Sequence, residues 1–275
     1  MPIANAPVRL DRLSALIAGL APRVRIAHAG ALCDAGHFAA QPPERLHVHL
    51  IVRGVAGLCC GAQCESVAAP AVAVCRSDLT HALVPRSDDL QVVCAQVNFD
   101  GPAGPLLLST FDAPLCLSLG AAESDLQHVV ALIALELAQP RCAQAALLGH
   151  AGEILLIGLL RHLVAQRVLP CGVLSGLGDA GLARTLVALH EAPAAAWTLE
   201  RMAETAGMSR TAFATRFRAT MGVTPRRYLN AYRLTIARRE VDAGHGLKRA
   251  ARSAGYESAA ALSRALSRQA EAAAA

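Results

Sequence analysis

His47 and His49 stand two apart in the sequence, a spacing that puts both imidazoles on one face of an extended chain, and His81 can approach them from a later strand. Three imidazoles are a common divalent-metal set, with Cys75 or Cys94 as a fourth ligand and zinc as a suitable ion. Four residues after His49 comes Arg53, whose charge opposes a cation and favours an anionic group. The same region therefore has a second reading, a small-molecule pocket lined by His49, Arg53 and His81. A third chemistry belongs to Cys59, Cys60 and Cys64, a dense group beside a Gly turn where thiol oxidation would be a signal. Adjacent Cys59 and Cys60 point to opposite faces if extended, so they do not easily serve one site. Cys75 and Cys94 fall in strand-like runs and also suit a core as small hydrophobes.

Toward the other end the chemistry is that of polyanion recognition. Thr198 precedes a short helix whose Leu199, Met202, Ala203 and Ala206 form a buried stripe and which Gly207 ends. Ser209 is a good N-cap for the next helix, in which Phe213 and Phe217 lie four apart and anchor it to its neighbours. Arg210, Thr211, Thr215 and Arg218 fall opposite that apolar pair, where guanidinium and hydroxyl groups can face phosphates and base edges. About 48 residues later the pattern returns: Leu247 to Ser253, a turn at Gly255, and Ser258 opening a helix that carries Leu262 and Leu266 where the first has its two Phe. Residues 225 to 241 between them read as a helix long enough to hold two readers near successive major grooves. Most specificity is assigned to Arg210, Thr211 and Thr215 and phosphate anchoring to Arg216, Arg218, Arg264 and Arg268, and Ser258, which opens the second reader, is counted among the DNA-binding residues.

Charge follows the same division. The 275-residue chain has a net charge of +5, but residues 1 to 190 sum to −2 and residues 191 to 275 to +7. A basic module beside a near-neutral one implies that the C-terminal piece alone meets a polyanion. With 54% apolar residues the chain can fill sizeable cores, which excludes disorder of the whole. Nine cysteines, an odd number in so long a chain, argue against a secreted disulfide scaffold. No secretory signal is recognised, and apolar runs such as Ile154 to Leu160 are cut by Arg161 and His162, so a cytoplasmic protein without a membrane span is expected.

The elements that must position these groups differ along the chain. Leu10 to Leu20 reads as a short amphipathic helix. From Val24 to Leu119 short apolar runs are broken by turns, with strands expected at His47 to Arg53, Val55 to Cys60, Val67 to Val74 and Leu90 to Phe99. Without βα alternation this points to a small barrel or sandwich. Helices are expected from Ser124 to Gln139 and from Cys142 to Val168, the second apolar over so much of its circumference that a partner helix or another subunit should bury it. Gly172 to Gly178 reads as a hinge.

The stretch from Gly207 through Val241, followed by RSAGYESAAALSRAL, resembles the DNA-binding region of the AraC/XylS (arabinose-operon-regulator) family across about 75 residues. The resemblance implies recognition helices at Arg210 to Arg218 and Ser258 to Arg268, action on double-stranded promoter DNA, usually as activators and sometimes as repressors, with RNA polymerase as a partner, and homodimers. Family members carry Phe at the positions of Leu262 and Leu266 and continue into a Gly-, Pro- and Tyr-containing tail; this chain runs instead into alanines, which implies a degenerate second unit. HVHLIVRG, SDLTH and VVCAQVNFDGPAG resemble the cupin-like sensor domain found at the N-terminus of one branch of that family, with His47, His49 and His81 in the cupin histidine pattern and Arg53 in place of its carboxylate. The expected fold is mixed: a cupin-like β-barrel followed by dimerisation helices in 1–170, a linker at 171–196, and an all-α domain with two helix-turn-helix units in 197–275. The expected function is a transcription regulator, not an enzyme, controlled by a small-molecule effector, a metal or thiol oxidation. A metal-dependent cupin enzyme fused to a DNA-binding module and a protein-interaction module with weak DNA binding are the competing classes.

Overall fold

The computed structural model describes residues 12–120, 124–166 and 169–274. The expected helix ends at Leu10 and Val168 lie outside them. In chain order the elements are α1 (Arg12–Leu20), β1 (Pro22–Ala31), β2 (Gly36–Phe38), β3 (Arg45–Arg53), β4 (Val55–Cys60), β5 (Gln63–Ala68), β6 (Ala71–Arg76), β7 (His81–Pro85), β8 (Gln91–Phe99), α2 (Gly104–Leu108), β9 (Leu115–Ser118), α3 (Ser124–Ala138), α4 (Gln144–Gln166), α5 (Val173–Gly178), α6 (Ala180–Glu191), α7 (Leu199–Ala206), α8 (Arg210–Met221), α9 (Pro225–Asp242), α10 (Leu247–Ser253) and α11 (Ala259–Ala274). Their described residues form two compact units, one within 21–100 and 107–162, the other within 12–20, 101–106 and 163–274.

The first unit is a cupin-like pair of antiparallel sheets, ordered β1-β8-β3-β6-β9 and β2-β7-β4-β5. Ile51, Ala73, Cys75, Val92 and Cys94 from one sheet and Ala56, Leu58, Val67 and Leu83 from the other fill a common core. Alternation sends the remaining residues of the larger sheet the other way. Val24, Val48, Leu50, Val93 and Val97 meet Ile133 of α3 and Leu148, Leu155, Leu156 and Leu159 of α4. Gly152 lets α4 lie close to the sheet, since a Cβ there would sit 2.9 Å from Val24 Cγ1. The expected Val67 to Val74 strand is two strands, because Pro70 lacks the N–H to continue a ladder and the chain turns at Ala69–Pro70.

The second unit is helical. Residues 171–196, expected as a linker, hold two folded helices. α6 is N-capped by Asp179, whose carboxylate accepts from the N–H groups of Gly181 and Leu182, and it buries Leu182, Leu186 and Leu189. α1 packs against α6, and Arg12 Nη1 donates to the carbonyl of Leu177 at 2.9 Å. The first expected helix therefore belongs with the helical unit and not with the sheets.

Candidate functional site

The two helix pairs of the second unit repeat down to single hydrogen bonds. In the first, the N–H of Met208 reaches back to the carbonyl of Ala203 at 2.9 Å; in the second, Tyr256 bonds Ala251 at 2.8 Å, 48 residues later in each case. Gly207 and Gly255 take the left-handed conformation at these helix ends, with φ of 69° and 74°. The N-caps follow: Ser209 Oγ accepts from the N–H of Ala212 at 3.3 Å, and Ser258 Oγ from that of Ala261 at 3.1 Å. One extra residue, Glu257, lengthens the second turn. Phe213 and Phe217 are fully buried, their ring centroids 5.4 Å apart, with Tyr228 of α9 edge-on to Phe217. Leu262 occupies the equivalent place in the second pair and is equally buried among Leu234, Ala237, Ala250 and Ala251, and Leu266 packs against the same cluster. The smaller side chains thus keep the second unit closed.

With the apolar face turned inward, Arg210, Thr211, Thr215, Arg216 and Arg218 are exposed on α8, and Arg264 and Arg268 on α11 with Ser258 at its cap. Two of the candidate readers already have carboxylate partners. Arg210 Nη1 lies 3.0 Å from Glu200 Oε1, and Arg216 Nε lies 2.5 Å from Asp179 Oδ2. Burial opposes ionisation of Asp179, but the N–H groups of Leu182 and Gly181 and the Arg216 guanidinium together hold its carboxyl below the usual range. Beside α8 lies a cleft of about 780 Å³ that includes Trp197, Thr215, Arg218, Arg226 and Asn230. The sequence reading passed over Trp197, just before the N-cap of α7, and Arg226 and Asn230, in the first two turns of α9.

The second site is the interior of the sheet pair. Register places His49 opposite Ala73 on one side and Cys94 on the other, with Cys116 next to Ala73 and with His47 opposite Cys75. His81 and Phe38 come from the facing sheet, paired with each other in β7 and β2. The three imidazoles are buried; His49 Nε2 lies 3.0 Å from His81 Nε2, and the Phe38 ring stacks on His81 at 4.8 Å between centroids. Burial, reinforced by the neighbouring imidazoles, pushes His49 down to about 3 and His47 to about 4. Both are neutral at physiological pH. Cys60 packs into the same core, where it shares a hydrogen bond with Cys75. Cys116 escaped the sequence reading because its strand is only four residues long.

Three expectations change here. Arg53 does not line a pocket with His49 and His81: a register shift between Ile51 and Arg53 turns it out of the core, where Arg53 Nε lies 3.0 Å from Asp89 Oδ2. His47, His49, Cys75 and Cys94 share one inner face and His81 meets them from the facing sheet, but no group of three His, Cys, Asp or Glu side chains that could hold a metal ion is found among the described residues. The cysteine triplet is divided, Cys59 and Cys64 being joined as a disulfide while Cys60 points into the core.

On the far side of α3 and α4, Leu132, Leu135 and Ile154 are large apolar side chains left exposed. α4 is long and apolar enough to cross a membrane by length and composition, but Leu148, Leu155, Leu156, Leu159 and Leu160 are buried.

Residues 11–165 match the cupin family model, and residues 202–274 match a helix-turn-helix domain. A protein of Streptomyces lividans named as an AraC-like transcription regulator is 33% identical over 186 residues, covering 66% of this chain and 61% of that protein. The transcriptional regulator AlkR of Acinetobacter baylyi is 33% identical over 140 residues, 50% of this chain and 46% of its own. The chain thus spans less than two thirds of the length of these relatives. The solved structure of ToxT from Vibrio cholerae is similar over 89% of this chain and 92% of that one, at 11% identity and a TM-score of 0.35. By the extent of the first match the chain belongs to the cupin family, and its cupin domain is followed by a helix-turn-helix domain of the kind found in AraC-like regulators.

Proposed function

We propose that the chain is a sequence-specific, DNA-binding transcription regulator of the cytoplasm whose second unit reads promoter DNA with α8 and α11 and whose sheet unit receives the controlling signal. One observation carries the reading: two helix pairs with matching turn bonds and caps, each presenting Arg, Thr or Ser outward, in a segment of net charge +7. α9 is 18 residues long, about 27 Å at 1.5 Å per residue, a span suited to placing two readers on one face of a duplex. The exposed Leu132, Leu135 and Ile154 support a homodimer formed through α3 and α4, which would pair two such modules on repeated sites.

The test is retention of a labelled promoter fragment from beside the chain's own gene against excess unrelated DNA. Specific retention that weakens with Arg218→Ala supports the reading. Equal affinity for every sequence removes it.

A further inference from the structure

The strand cysteines of the sheet unit fall into two classes by the face they occupy. Ala56, Leu58 and Cys60 of β4 point into the core, so Gly57 and Cys59 point out of it. Inside, burial pushes Cys94 and Cys116 up to about 12 and raises Cys75 and Cys60 as well. Such thiols are almost fully protonated near neutral pH and are poor nucleophiles. Outside, Cys59 and Cys64 oppose each other directly across the β4–β5 hairpin and are bonded. β5 is the edge strand of its sheet, and Cys64 is exposed.

As a staple this bond has little to hold. It links residues five apart, within a hairpin whose backbone ladder already pairs them, and the stabilisation from a cross-link grows with the loop it closes. Its surroundings instead suit reactivity. Arg86 Nη2 donates to Cys64 Sγ at 3.5 Å. Gly57 makes room for that contact, since a Cβ there would lie 2.9 Å from Arg86 Nε and 3.2 Å from Cys64 Sγ. A guanidinium at this position stabilises Cys64 as a thiolate, which makes it the better attacking sulfur when reduced and the better leaving group when oxidised.

We propose that Cys59 and Cys64 form a reversible thiol–disulfide site on the outer face of the four-stranded sheet, with Cys64 the reactive sulfur, Cys59 the resolving one and Arg86 the positioning cation. The oxidant class is a hydroperoxide. The Cys64 thiolate attacks its terminal oxygen, the O–O bond breaks, and an alcohol leaves after taking up a proton. Cys59 then displaces water from the Cys64 sulfenic acid to close the S–S bond. A low-molecular-weight thiol reverses the reaction: its thiolate attacks Cys59 and expels the Cys64 thiolate, and a second thiolate attacks the mixed disulfide. Two thiols leave as their own disulfide, and both cysteines regain protons. The consequence for regulation rests on the regulator reading above; the chemistry does not.

The full chain, reduced with dithiothreitol and desalted, is pulsed with iodoacetamide at pH 7 and its peptides are quantified. Cys64 is expected to react at least about threefold faster than the exposed Cys33 and Cys142. Arg86→Gln should abolish that advantage and Arg86→Lys should keep most of it, the pair separating charge from loss of fold. Hydrogen peroxide should yield the Cys59–Cys64 linked peptide, and in Cys59→Ser a dimedone-trapped sulfenic acid at residue 64. A Cys64 rate no higher than that of Cys33, a rate indifferent to Arg86→Gln, or a bond that excess dithiothreitol cannot open in the folded chain overturns the proposal. None of these readouts involves DNA, so they fail or succeed independently of promoter retention.

Discussion

Arg216 carries two loyalties. Its Nε is held by Asp179, the same carboxylate that caps α6, although its place on α8 offers it to a phosphate. Asp179→Asn would keep an acceptor for the cap and release the guanidinium. It should raise affinity for unrelated duplex a few-fold at low salt, a gain that fades as salt screens it, while the melting temperature changes little; fluorescence anisotropy across a salt series measures the first and calorimetry the second. Titration at the buried histidines gives a further expectation. His49 is pushed down to about 3 and His190, buried against Tyr228 and Tyr232, to about 4, so both stay neutral in the folded chain while the unfolded chain protonates them near 6.5. Below pH 6.5 the unfolded state binds more protons, so their contribution is complete above that pH and is lost as pH falls toward the folded values. Each histidine should cost stability at up to about 1.4 kcal/mol per pH unit between pH 6 and 4, seen as a falling urea midpoint that His190→Gln flattens. Residue identities and alternation were enough to place His47, His49, Cys75 and Cys94 on one inner face. They could not reveal that a shift between Ile51 and Arg53 turns Arg53 outward, because a bulge depends on the partner strand.

Among the elements, the turn glycines show how one motif can have unequal tolerance. Both Gly207 and Gly255 sit at positive φ, where an added Cβ costs about 1–2 kcal/mol. At Gly207 the nearest atom to that Cβ is Arg184 Nη2 at 3.2 Å, the far end of a flexible side chain, but at Gly255 it is the Cα of Ala194 at 2.6 Å, which cannot move without its backbone. Gly255→Ala should therefore destabilise the chain clearly more than Gly207→Ala in chemical denaturation, even though the second unit was expected to be the degenerate one. Leu262→Ala should cost about 2–5 kcal/mol, as removal of a fully buried side chain does, showing that Leu in place of Phe still closes its core. Elements with strong local signals were legible: the Val55 to Cys60 strand and the helices after Thr198 and Ser209 have the expected bounds, whereas the ten-residue β1 was not among the expected strands. β2 and β9 were not, being three and four residues long and formed by pairing with distant strands. The segment 171–196 looked like a linker because its glycines suggest a hinge. Gly176 and Gly181 instead allow close packing, with Met221 Sδ and Met208 Cε at 2.4 Å and 2.5 Å from where their Cβ atoms would be.

For the molecule as a whole, the placement of apolar surface and charge bears on how many copies meet the DNA. One helix-turn-helix pair contacts a single groove, and two pairs in one chain cover adjacent grooves, so a repeated operator requires a second chain. The face that could recruit it belongs to the sheet unit, where α3 and α4 bury one side on Val24, Val48 and Leu50 and leave Leu132, Leu135 and Ile154 outward. Those residues lie on helices already fixed by their buried sides, so a charge introduced there should leave the fold intact. Leu135 is 66% exposed, and Leu135→Glu removes apolar area from the patch without opening a cavity in the core. The expected outcome is conversion of a dimer to a monomer in sedimentation velocity at micromolar concentration, with an unchanged far-ultraviolet circular dichroism spectrum. Affinity for a two-site promoter fragment should fall at least about tenfold, because the second module is no longer tethered, while affinity for a single site stays as it was. If the variant and the unaltered chain sediment alike, α3 and α4 do not carry the association, and exposure of those leucines has another cause.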